Sequence, residues 1–136
     1  MPTWLLSIHS LVRWLVMIAA VAGLVWYGLV WAKRAHNART DRVLMSAFTG
    51  LMDLEVTIGV ILIIWVSIAQ NNLLPFRVEH GVTMFIGALV GHSSVMWRKR
   101  EESVRARNYV ITILVVLVII FIGVSRLPYN PWGNIF

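Results

Sequence analysis

Residues 108–125 read NYVITILVVLVIIFIGVS, a run without a single charge. In water its Val115–Ile120 core reads as a strand, because β-branched residues favour one. In hydrocarbon the reading reverses. Every backbone N–H and C=O must then find a partner within the segment, so a run of this length is a helix. About 20 such residues cross a bilayer. Three more stretches meet that measure: roughly Trp4–Ala32, uncharged from Trp14 onward; roughly Val43–Ala69, interrupted by Asp53 and Glu55; and roughly Phe76–Trp97, uncharged after His80. The sequence therefore predicts an all-α membrane protein. Four transmembrane helices, at about 4–32, 43–69, 76–97 and 108–125, form one up-and-down bundle over residues 1–136.

Composition supports this. Of 136 residues, 59% are hydrophobic and 13% charged, against about 25% charged in soluble domains. Disorder needs the opposite balance. The chain contains no cysteine, which excludes disulfides, thiolate-ligated clusters, covalent c-type haem attachment and cysteine nucleophiles. The first span lacks a preceding basic region and exceeds a signal core in length, so it is expected to stay in the mature protein.

The formal net charge of +6 points to topology rather than to nucleic acid. Lys33, Arg34, Arg39 and Arg42 form one cluster, and Arg98, Lys99, Arg100, Arg105 and Arg107 a second. Together they hold 9 of the 12 basic residues. By the positive-inside rule the loops joining spans 1–2 and 3–4 face the cytoplasm, and both termini lie outside. The 2–3 connection carries only Arg77. Trp4, Trp65 and Trp132 then fall near the outer face and Trp31 and Trp97 near the inner one. The Pro128–Phe136 tail is expected on the interface.

Ionisable residues inside a span are costly and usually face a bundle interior or a functional site. Here they are His9, Arg13, Asp53, Glu55, Glu79, His80 and His92. His9 and His80 each lie about 6–9 Å inside the outer boundary at 1.5 Å per residue. In an up-and-down bundle their helices are diagonal, and bundle cores hold cofactors between facing helices. Two imidazoles at one depth suit axial ligation of a b-type haem iron. Arg13, one turn from His9, can pair with a haem propionate or with Glu79. The plainer alternative is that all three snorkel to water and fix helix depth. His92 lies about 18 Å further along its helix than His80 and cannot share that haem. Asp53 lies at a comparable depth and Glu55 near the midplane. Two residues apart, they point to nearly opposite sides of the helix. One of them with His92 could handle protons for a quinone; the alternative is a buried pair that locks helices. His36, in a basic loop, reads as solvated.

Several of these pieces carry a resemblance: His9-Ser10-Leu11-Val12-Arg13-Trp14, Asp53-Leu54-Glu55 with Gly59, Val78-Glu79-His80, Gly91-His92 and Pro131-Trp132. Over most of its length the chain resembles a family of small four-helix bacterial membrane proteins often labelled cytochrome-b-like. It departs from their pattern at Glu55, where glutamine is common, at Ser93, where glycine is usual, and in an insertion between Pro128 and Pro131. The resemblance implies haem.

Sequence and resemblance together lead to an expectation of a haem-b electron-transfer protein in the bacterial cytoplasmic membrane, part of a larger respiratory or photosynthetic complex and not an enzyme alone. His9 and His80 would be the iron ligands, Arg13 and Glu79 further cofactor-binding residues. Asp53, Glu55 and His92 would form an inner quinone or proton site. The alternatives are a cofactor-free accessory subunit and, third, a small transporter or proton channel.

Overall fold

The computed structural model describes residues 3–128, all of its regular structure helical. Four α-helices follow one another: α1 Thr3–Trp31, α2 Ala38–Gln70, α3 Pro75–His92 and α4 Glu102–Ser125, with a 3₁₀ segment Ser93–Trp97 continuing α3. Trp132 and most of the tail expected on the interface lie outside the described residues.

Caps, rather than the edges of the apolar runs, decide where the helices begin and end. The second helix starts at Ala38 instead of Val43. Asn37 is extended and its side chain accepts from the Thr40 N–H at 3.0 Å, satisfying one of the orphan donors of the first turn. Asp41 in that turn suits the positive end of the helix dipole. The same helix stops at Asn71, whose φ of 50° is left-handed and tolerable for asparagine. Pro75 then opens α3 from a first-turn position where its missing N–H costs nothing. The fourth helix likewise starts early, at Glu102 instead of Asn108, and draws Arg105 and Arg107 into helix.

The third expected helix, at about 76–97, is helical over that range but not uniformly so. Its α-helical part ends at His92, and Ser93 to Trp97 tighten into 3₁₀ geometry. The Ser93 hydroxyl donates to the Val90 carbonyl at 2.5 Å, and such back-bonding competes with the backbone ladder. By length and composition three helices, α1, α2 and α4, are long and apolar enough to cross a membrane. The third is not among them: only 18 residues of it are α-helical, and its first turns carry Arg77, Glu79 and His80.

Packing follows from two core stripes. On α1 the buried residues include Val12, Val16, Ala20, Gly23, Tyr27 and Val30; on α2 they include Met45, Phe48, Met52, Glu55, Ile58 and Leu62. Steps of three and four keep each set on one face. The first helix packs on α2 and α4, and α3 packs on the same two. Helices 1 and 3 are therefore diagonal across the bundle, as the up-and-down reading assumes. The outer surface is apolar, with Ile18, Val25, Ile64, Phe85, Val118 and Phe121 all more than half exposed. The N-terminus of α1, the α2–α3 turn and the C-terminus of α4 share one end of the bundle, the terminal end; the basic loops share the other.

A two-histidine cavity at the terminal end of the bundle

A cavity of about 610 Å³ opens between the helices at the terminal end. Its size lies within the roughly 300–1,000 Å³ usual for cofactor and small-molecule sites. Both diagonal histidines line it, His9 from α1 and His80 from α3, together with Arg13, Glu55 and Arg77. The rest of the wall is mostly aliphatic, and Met17, Met52 and Met84 also contribute.

Each histidine is held through the same ring nitrogen. The Nδ1 of His80 lies 2.9 Å from the Gly123 carbonyl oxygen on α4. A carbonyl only accepts, so Nδ1 carries the proton and a neutral ring keeps its lone pair on Nε2. The Nδ1 of His9 lies 3.2 Å from Glu55 Oε2 on α2. The two atoms are close, but neither makes a directional hydrogen bond. Glycines make room for both arrangements. A Cβ on Gly59 would sit 3.3 Å from the His9 Cε1, so the imidazole rests against bare helix one turn beyond Glu55. A Cβ on Gly123 would stand 2.7 Å from Met84 Cε and 3.2 Å from Thr83 Cγ2, so the close approach of α4 to α3 depends on that glycine.

The arrangement bears comparison with metal-bound imidazoles, fully for His80 and by proximity alone for His9. Ligating histidines usually give their second nitrogen to a carboxylate or a backbone carbonyl, which fixes the ring and its tautomer. Here one ring has the carboxylate and the other the carbonyl. Among the described residues no group of three or more His, Cys, Asp and Glu comes together as a metal site.

The remaining candidates divide. Glu79 is exposed and does not line the cavity. Glu55 turns inward to His9, so it does not belong to an inner site with His92. That partner is Asp53: His92 Nε2 lies 2.8 Å from both of its carboxylate oxygens. Their side chains are about half exposed, 50% and 49%, on the outside of the bundle. His36 is not merely solvated; its Nδ1 contacts the Glu102 carboxylate at the start of α4.

Two features have no counterpart in the sequence reading. One is Arg77, which by sequence is only a lone loop cation. The other is a polar cluster at the basic end, centred on Asp41, which is 2% exposed. Its carboxylate accepts from Trp26 Nε1 and from Arg105 Nη2, each at 2.7 Å. Its backbone carbonyl accepts from the Tyr27 hydroxyl at 2.5 Å. Tyr27 meets Tyr109 edge to face at 5.0 Å. The cluster ties α1, α2 and α4 together. A signal for it exists in the sequence: Asp41, Met45, Phe48 and Met52 follow one another at core spacing.

Comparison of the chain with protein-family models, with curated proteins and with solved structures finds no match.

Proposed function

We propose that this chain is a haem-b-binding membrane protein that passes electrons as part of a larger redox complex. One observation carries the reading: two histidines on diagonal helices line one cavity, each with Nδ1 engaged and Nε2 left over. His9 and His80 would hold the iron. Arg13 offers a cation for a propionate, and the aliphatic wall would exclude water. The chemistry such a haem supplies when bound is one-electron transfer. The chain's own contribution is to fix both rings, to place a carboxylate behind one of them and to keep the site dry. Basic loops on the cytoplasmic side of a bacterial inner membrane, with both termini outside, complete this reading.

The test is a dithionite-reduced minus oxidised spectrum of the purified chain, with haem supplied during expression. A b-type band is expected in the wild type and in neither His9→Ala nor His80→Ala. A colourless wild type would overturn the reading and leave a cofactor-free accessory subunit.

That second reading has its own support in the Asp53–His92 pair. Charged groups within membrane helices rarely face lipid, yet this pair is half exposed on the outside of the bundle. A neighbouring chain or a quinone head group would cover it. A channel reading gains nothing, because Glu55 lines the cavity while Asp53 and His92 do not.

A further inference from the structure

Arg77 is a cation where an anion is the favoured charge. It stands in the first turn of α3, just after Pro75, at the positive end of the helix dipole. Its Nη2 donates to the neutral Gln70 side chain at 2.9 Å. Its Nη1 is buried with no hydrogen-bond partner. Among the described residues no carboxylate lies within ion-pair distance of it. Glu79, two positions on, is exposed and outside the cavity lining. The cavity's own carboxylate, Glu55, is engaged with His9. Arg105, the partly buried arginine at the other end, shows the contrast: it has Asp41 at 2.7 Å. A guanidinium left this way is costly unless an acceptor arrives.

The location says what kind of acceptor. Arg77 and Gln70 line the same cavity as the two histidines, and Leu6, Phe76 and Leu127 line it with them. A ligand filling this space is apolar over its body and anionic where it meets Arg77. We propose that Arg77, steadied by Gln70, is an anion-binding residue of the cavity in addition to Arg13, and that its occupant is an amphiphile bearing a carboxylate. In its haem form the inference rests on the function proposed above, and the carboxylate is a propionate. The same chemistry could come from a long-chain fatty acid. Arginine suits either, because its planar fork matches a carboxylate.

Titration of the purified, detergent-solubilised chain tests this. Ferric protoporphyrin IX is compared with its dimethyl ester, which keeps the macrocycle and loses both carboxylates. The wild type should bind the acid more tightly than the ester, on the order of tenfold to a hundredfold, the scale of a hydrogen bond to a charged group. Arg77→Gln should cut that preference by about tenfold while still binding both, with Arg13 left to supply the remainder, and Arg77→Lys should keep more of it, which also excludes simple misfolding. If the wild type binds neither porphyrin, the haem reading fails by itself. A long-chain fatty acid is then compared with its methyl ester, followed by quenching of the tryptophans. A preference for the acid that Arg77→Gln cuts sustains the proposal with a lipid as the source. An acid-over-ester preference that Arg77→Gln leaves intact overturns it, as does no preference in either pair.

Discussion

Asp53 and Glu55 stand two positions apart and lead different lives. Glu55 belongs to the core series that runs through Phe48 and Met52 to Ile58, and is 8% exposed. Asp53 lies off that stripe and faces outward to His92. The opposed directions were legible from helix geometry alone. Which carboxylate went inward was legible only from the full stripe, because a single pair of residues does not fix the phase of a helix. In the proposed haem site, with its carboxylate behind His9, Glu55 would make the ring a more basic ligand and would favour the oxidised, more positive iron. Glu55→Gln keeps the size and removes the charge. The midpoint potential of the proposed centre should therefore rise, by about 59 mV if the oxidised-to-reduced ratio changes tenfold. A spectroelectrochemical titration measures it, and an unchanged potential would place Glu55 outside the ligand's influence. Asp41 carries a different prediction. Asp41→Ala strips the counter-charge from Arg105, which is only 17% exposed. Breaking a buried pair costs about 3–5 kcal/mol, and the lower end is expected here because Arg105 keeps some access to solvent. Tyr27→Phe loses one hydrogen bond to the same residue and should cost about 1 kcal/mol. Thermal unfolding in detergent ranks the two; equal losses would mean that the ion pair adds nothing.

At the scale of elements, the positions of the four helices were readable and their ends were not. Apolar runs mark where lipid would be, whereas helices stop at caps. Asn37 and Pro75 set starts that hydrophobicity does not see. The break at Ser93 was invisible for the same reason: a serine hydroxyl on the Val90 carbonyl leaves no trace in an apolar average. The antiparallel run of successive helices was readable from their short connections, but the diagonal relation of α1 and α3 was only assumed, because the order of helices around a bundle is set by packing. The atoms that hold the two histidines were not readable either, because Gly123 and Glu55 come from other helices and their register is a matter of packing. Gly123 is the sharpest case. A Cβ there meets Met84 and the stiff, β-branched Thr83, so Gly123→Ala should wedge α4 from α3 and pull its carbonyl away from His80. Overpacking of this kind costs about 1–3 kcal/mol. A Cβ added at Gly28 would meet nothing within 4 Å, so Gly28→Ala should be neutral or stabilising by up to about 1 kcal/mol through helix propensity. Paired melting curves decide it. If both alanines behave alike, the close approach at Gly123 is not what positions His80.

For the whole molecule the decisive asymmetry is charge. Lys33, Arg34, Arg39 and Arg42 lie at one end with Arg98, Lys99 and Arg100, while the opposite end has Arg77, Arg126 and, in the cavity, Arg13 among its described residues. The four helices run up and down, so a single choice of orientation fixes every loop and both termini. It also decides which compartment the two-histidine cavity opens toward, since that cavity belongs to the terminal end. The absence of cysteine makes the test clean, because any introduced thiol is the only one in the chain. Asn72→Cys in the α2–α3 turn and Lys99→Cys in the loop before α4 probe opposite ends. In intact cells with a permeable outer layer, a membrane-impermeant maleimide should label Asn72→Cys at once and Lys99→Cys only after lysis. The reverse pattern would turn the cavity toward the cytoplasm, and the electron donor or acceptor serving it would then have to be sought there.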